Sequence, residues 1–154
     1  MYPGIRAINI VAILYRTGFI FFGGDCRIFL KESHEMLLGW KSVQITYEKH
    51  IRCGKNVKFE DFSKIYGLCS DAFNFGNYVT INRGVMIRPH SYYSGNYRIG
   101  LTMGEHISVG PYGYVDCSAK ITISKNAMFD FKCNLFAENH VLSNIESIIK
   151  NQAV

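Results

Sequence analysis

The feature that most constrains the fold of this chain is a six-residue repeat that runs from Cys53 to His140. An apolar residue starts each hexad, and a mostly small residue follows four places later. A period of six is too long for one face of a strand and does not fit a helical stripe, but it suits one short strand followed by one turn. Three such units close a triangular coil, so we predict an all-β parallel solenoid with the hexad starts facing inward. These starts are Cys53, Phe59, Ile65, Phe75, Ile81, Ile87, Met103, Val109, Val115, Ile123, Phe129 and Leu135.

Extra residues interrupt the repeat after every third hexad. They are residues 71–74, 93–102 and 121–122, and in this register all of them fall at the same corner of the triangle. We therefore expect the insertions to project from one edge of the solenoid.

Glycine directly follows several hexad starts, at positions 54, 76, 104 and 110. Glycine reaches backbone conformations with positive φ that other residues avoid. We therefore predict that these glycines provide freedom in φ at the turns.

Two segments of the repeat resemble a known family. Ile121-Thr-Ile-Ser-Lys-Asn-Ala127 and Leu135-Phe-Ala-Glu-Asn-His140 are similar to hexapeptide-repeat acyltransferases, above all bacterial sugar O-acetyltransferases of the maltose, galactoside and colanic-acid kind. The resemblance covers roughly residues 51 to 154 and implies a left-handed parallel β-helix that forms a homotrimer. The handedness comes from the resemblance alone, because parallel crossovers are ordinarily right-handed.

The resemblance also implies catalytic residues. His140 is expected to be the base that takes the proton from the acceptor hydroxyl, a role that suits a neutral imidazole. Glu138 and Asn139 are the nearest polar residues, and we expect them to orient the imidazole ring or the acceptor, although Asn139 also stands at an inward corner position. The remaining histidines lack the close spacing of metal ligands, so we expect no metal site.

Three tyrosines are candidate substrate-binding residues. Tyr93 and Tyr97 lie in the longest insertion, where their rings could stack on a sugar, the alternative being that they pack on a neighbouring subunit or on the coil below. Tyr112 falls where the maltose and galactoside enzymes carry an acceptor-binding asparagine.

The function that the resemblance implies is transfer of an acetyl group from acetyl-CoA to a sugar hydroxyl, in the biosynthesis of a surface polysaccharide. In that family the acetyl-CoA site uses coils that follow the histidine loop. We therefore expect the sequence to be C-terminally truncated, and residues 1–154 to bind acetyl-CoA weakly or not at all. The alternative is a catalytically incomplete solenoid that acts as a scaffold or assembly partner, and donor binding discriminates between the two.

The net charge of +5 comes mainly from the chain up to Lys64. Such a bias favours a membrane surface or an anionic acceptor, with an ordinary solvated basic surface as the plain alternative. No nucleic-acid-binding motif accompanies the charge, so a nucleic-acid partner is not expected.

The five cysteines form no CxxC pair and are odd in number. Three of them, Cys53, Cys69 and Cys133, occupy inward hexad positions. We interpret them as reduced core residues, which indicates a reducing, cytoplasmic compartment.

The most apolar stretch, residues 5–22, precedes the repeat. Arg6, Asn9 and Arg16 interrupt it, which leaves too short a run to span a membrane. We predict an N-terminal helix over residues 4–17 that caps the solenoid, the alternative being an interfacial helix on the inner membrane.

The chain therefore divides into three parts. Residues 1–50 carry the N-terminal helix and a degenerate first coil, residues 51–140 form four 18-residue coils, and residues 141–154 begin the truncated region with a short terminal helix.

Overall fold

Short strands separated by tight turns build residues 38–39, 42–89 and 100–137, the part of the chain that the computed structural model describes. A single turn of 3-10 helix, Glu48–His50, lies between the second and third strands. In chain order the strands are β1 (Leu38–Gly39), β2 (Gln44–Thr46), β3 (Ile51–Cys53), β4 (Lys58–Phe59), β5 (Lys64–Tyr66), β6 (Phe73–Phe75), β7 (Thr80–Ile81), β8 (Met86–Arg88), β9 (Leu101–Met103), β10 (Ser108–Val109), β11 (Tyr114–Asp116), β12 (Ile121–Ile123), β13 (Met128–Phe129) and β14 (Asn134–Phe136).

The strands form three parallel sheets, and the chain visits each sheet in turn. Sheet I contains β1, β4, β7, β10 and β13, and sheet II contains β2, β5, β8, β11 and β14. Sheet III contains β3, β6, β9 and β12. Every neighbouring pair is parallel and in register, as in the column Ile45, Ile65, Ile87, Val115 and Leu135 of sheet II. The predicted all-β parallel solenoid is thus confirmed.

The hexad starts face the interior of the solenoid, as predicted. Phe59, Ile65, Ile81 and Ile87 are fully buried in the middle coils. Phe129 and Leu135 of the last described coil are only partly buried, although they pack against the same core. The rows of apolar side chains therefore stack coil on coil, and each coil buries its neighbour's row.

Sheet III departs from the predicted boundaries of the insertions. Its strands begin two residues before the hexad start, so that Phe73 and Leu101 are strand residues buried inside the core. Assigning residues 71–74, 93–102 and 121–122 wholly to insertions was therefore wrong. Residues two apart in a strand face the same side of the sheet, so Phe73 and Leu101 can be buried together with the hexad starts that follow them. The extra residues therefore precede these strands.

The corners between sheets are made by residues in the left-handed conformation. Between sheets III and I these are Asn56, Tyr78, His106 and Asn126, and between sheets I and II they are Phe62, Gly84, Tyr112 and Lys132. Six of these residues donate their amide to a carbonyl of the preceding coil, for example Tyr78 to Lys55 at 2.8 Å and His106 to Asn77 at 2.9 Å. These bonds stabilise positive φ at residues that ordinarily avoid it.

The predicted role of the glycines after hexad starts is corrected by these dihedrals. Among the described glycines, only Gly84 and Gly100 have positive φ. At Gly76 an added Cβ would lie 2.5 Å from the carbonyl oxygen of Gly104 on the next coil. Glycine is required there because neighbouring backbones approach closely, and not because the turn needs positive φ.

The N-terminal helix and the short terminal helix after residue 140, both predicted from the sequence, lie outside the described residues. Within the described ranges, no helix has the length and apolar character required to cross a bilayer. The left-handed sense of the coil stays a prediction from the resemblance.

Candidate ligand-binding cleft

The connections from sheet II to sheet III differ in length from coil to coil. They comprise residues 47–50, 67–72, 89–100 and 117–120. The other two corners keep one length in the successive coils from β3 to β14, because their turns carry no extra residues. The prediction that all insertions share one corner is therefore confirmed for the described chain, and we call this edge the II–III corner.

A cleft of about 540 Å³ lies beside the II–III corner, on the outer face of sheet III. Its base is formed by Arg52, Asn74 and Thr102, the central residues of β3, β6 and β9. These residues are neighbours in the strand register, so they form a column along the solenoid axis. Because their flanking strand residues face the core, these side chains face outward into the cleft.

Positive charge predominates around the cleft. Lys49, Arg52 and Lys120 line it, and Asp71 is the carboxylate among its lining residues. His50 also lines it and is half-buried. Among the described lining residues three permanent cations stand against one carboxylate, a balance that favours a negatively charged ligand.

The wall of the cleft at the II–III corner is held by backbone contacts. Gly100 has φ of 123°, and an added Cβ would overlap the carbonyl oxygen of Asp71. The Asn74 side-chain amide donates to the carbonyl of Ala72 at 3.1 Å. The amide of Ile121 donates to the carbonyl of Gly100 at 3.1 Å. These contacts hold together the described ends of the corner connections on this side of the cleft.

A second polar cluster lies on the outer face of sheet II. Asp116 is buried although its position in the strand faces outward, and it accepts hydrogen bonds from the amide and hydroxyl of Ser118. Arg88 is its register neighbour on β8. Burial, followed by the charge of Asp116, raises the pKa of the Tyr114 hydroxyl. This cluster provides a buried carboxylate, and it lies outside the residues that line the cleft.

Of the residues predicted to form the active site, the structure describes one. Glu138, Asn139 and His140 lie outside the described residues, as do Tyr93 and Tyr97. Tyr112 is exposed at the corner between sheets I and II, where its ring meets that of Phe131 edge-on with centroids 5.9 Å apart. The structure does not bring Tyr112 into the cleft at the II–III corner.

The described cysteines are free thiols. Cys53, Cys69 and Cys117 are buried, and Cys133 is partly buried. Burial raises the pKa of the Cys53 thiol to about 12. Burial, with a contribution from Asp71, raises the pKa of Cys69 to about 11. Thiols with such pKa values remain protonated at neutral pH and are poor nucleophiles.

Within residues 38–39, 42–89 and 100–137, no group of three or more His, Cys, Asp and Glu side chains has a metal-binding arrangement. His106, one of the described histidines, stacks on Tyr78 with ring centroids 4.8 Å apart. That pair lies at the corner between sheets III and I, apart from the cleft.

The cleft residues were missed by sequence reasoning, although the repeat contains a signal for them. Arg52, Asn74 and Thr102 each stand one place before a hexad start, which in a strand is an outward position. A column of polar residues at that position indicates a polar outer face. Lys49 and Lys120 carry no such signal, because only the folded connections bring them to this face.

No family model, curated protein or solved structure matches the chain in the comparisons with known proteins.

Proposed function

We propose that this chain is an acyltransferase of the β-solenoid type, which transfers an acetyl group from acetyl-CoA to a hydroxyl of a sugar acceptor at the II–III corner. The parallel solenoid is compatible with this activity. The observation that carries the proposal is the cleft itself, which lies where the extra residues gather and offers charged and hydrogen-bonding side chains.

His140 lies outside the described residues, and its relation to the cleft is inferred by counting residues along the repeat. Asn134 is the strand partner of Tyr114 on the next coil. His140 follows Lys120 by the same number of residues. A chain that continued in that register would carry His140 to the II–III corner, one coil beyond Lys120. Since Lys120 lines the cleft, the histidine and the cleft would then share one edge of the solenoid.

In the proposed reaction the neutral imidazole of His140 accepts the proton of the acceptor hydroxyl as its oxygen attacks the thioester carbonyl. The tetrahedral intermediate then collapses with cleavage of the C–S bond. The departing CoA sulfur recovers a proton from the imidazolium, so the histidine ends neutral. No covalent intermediate on the protein is required, which agrees with the protonated state of the buried cysteines.

The test is acetyl transfer measured by release of the CoA thiol, together with the mass of the acetylated sugar. His140→Ala is expected to lower the rate by about 10² to 10⁴, the usual contribution of a positioned base. His106→Ala is the matched control, because it removes an exposed histidine from another corner, and it should retain the wild-type rate. Equal rates for wild type and His140→Ala would overturn the assignment of the base.

A second candidate function is that of a scaffold or assembly partner without catalysis. It is favoured by Met128, Phe131 and Phe136 on the last described coil, which are 85%, 56% and 67% exposed. Large exposed apolar side chains are a feature of surfaces that another molecule covers. Binding of acetyl-CoA in calorimetry favours the acyltransferase. A chain that neither binds the donor nor acetylates a sugar favours the scaffold.

A further inference from the structure

We propose that the cleft on sheet III binds an acidic saccharide, so that the acceptor carries carboxylate or phosphate groups and lies along the solenoid axis. This inference rests on the proposed function where it treats that saccharide as the acceptor. The binding site itself is argued from the cleft alone.

The cations of the cleft stand at its two ends. Lys49 and Arg52 lie at the end of the cleft formed by β3, and Lys120 lies at the other end, directly before β12. In sheet III, β6 and β9 lie between β3 and β12. Strands in a sheet are about 4.8 Å apart, so the coils of Arg52 and Lys120 are separated by roughly 14 Å. A single small anion cannot contact both ends at once, whereas an elongated ligand with more than one anionic group can.

The middle of the cleft offers neutral hydrogen-bonding groups. Asn74 and Thr102 are half-buried at its base, and Ser70 is exposed at the II–III corner. The carboxylate of Asp71 adds an acceptor at the same level. Hydroxyl groups pair with such mixed donors and acceptors, while a hydrophobic ligand would leave them unsatisfied. Charged ends with a neutral polar centre therefore match a sugar chain with acidic substituents.

Binding can be measured without acetyl transfer, using the whole chain and tetragalacturonate, with maltotetraose as the neutral sugar of equal length. We expect tetragalacturonate to bind and maltotetraose not to bind. Raising the salt concentration from about 0.01 M to about 1 M should abolish binding, because the screening length falls from ~30 Å to ~3 Å. Equal binding of the two sugars would overturn the proposal.

Charge-removing variants locate the site. Arg52→Gln and Lys120→Gln should each weaken binding by about two- to fivefold, as expected for exposed ion pairs. Their effects should multiply in the double variant, because the two positions are far apart. Lys58→Gln removes the same charge from the exposed outer face of sheet I and should leave binding unchanged. A loss in Lys58→Gln equal to that in Lys120→Gln would show general charge attraction and refute the site.

A phosphate of the acetyl donor is the other source of such an anion. Competition by CoA and by 3′-dephospho-CoA distinguishes it: neither should displace tetragalacturonate if the cleft holds the acceptor. Displacement of bound tetragalacturonate by CoA but not by 3′-dephospho-CoA would show that the cleft holds the 3′-phosphate of the donor, and would overturn the acceptor assignment. If the protein binds the acidic sugar but transfers no acetyl group, the binding site is supported and the proposed activity is refuted.

Discussion

The ring of Tyr112 lies directly over Gly84 of the preceding coil, and a Cβ added to Gly84 would stand 2.6 Å from Cδ1 of that ring. Both residues occupy the corner between sheets I and II in the left-handed conformation, with φ of 67° at Gly84 and 58° at Tyr112. The amide of Tyr112 donates to the carbonyl of Arg83 at 2.8 Å, which joins the two turns. The corner is therefore a stack in which a bulky residue is accommodated because the one beneath it has no side chain.

Replacing Gly84 with alanine should destabilise the protein through two separable effects. The left-handed conformation costs a residue with a Cβ about 1–2 kcal/mol, and overlap with the Tyr112 ring adds about 1–3 kcal/mol. Denaturant unfolding of Gly84→Ala in the wild-type and Tyr112→Ala backgrounds separates them. In the Tyr112→Ala background only the conformational cost should remain, and equal losses in both backgrounds would contradict the steric contribution.

Substitutions along the inward column of sheet II should lose stability in proportion to burial. Ile87 is fully buried between Ile65 and Val115, so Ile87→Ala should cost about 2–5 kcal/mol. Leu135 is only partly buried in the last described coil, so Leu135→Ala should cost less. Denaturant midpoints measure both, and a larger loss at Leu135 would argue against the order of the coils.

Stability should fall at alkaline pH because of the buried thiols. The pKa of Cys53 is raised from 9.0 to about 12 in the folded state, so between these values the unfolded chain releases a proton that the folded chain retains. The free energy of unfolding therefore decreases as pH rises through this window, by at most about 1.4 kcal/mol per pH unit for this thiol. Below about pH 9 the contribution is constant.

Cys53→Ala tests this linkage directly. Lysines and tyrosines titrate in both proteins, so the difference between their pH slopes isolates the thiol. The variant should be less sensitive to pH between 9 and 11 than the wild type. Identical slopes would show that Cys53 does not stay protonated in the folded state.

The trimer implied by the resemblance remains a prediction. Exposed apolar side chains such as Met128 and Phe136 are consistent with a covered surface. Sedimentation equilibrium at micromolar concentration should give the mass of three chains. A mass of one chain at that concentration would count against the trimer.

The sequence alone determined the solenoid and its inward rows. The six-residue period is a local property of strand and turn, so it places each apolar start such as Phe59 or Ile81 on the inward side of its strand. The shared corner of the insertions could also be predicted from the sequence, by counting residues along the repeat. Partial burial of Phe129 was not predictable, because the hexad pattern is the same in each coil and does not distinguish the last described one.

Tertiary structure alone decided the glycine contacts and the cleft. The close approach of Gly76 to Gly104 depends on how one coil seats on the next, which no pattern within a coil encodes. Likewise Lys49 and Lys120 are far apart in the chain, and only stacking of the coils brings them to one face of sheet III. The period specifies which side chains face inward, because alternation along a strand is local. The path of each connection specifies which polar groups meet, because contacts between coils depend on the whole stack.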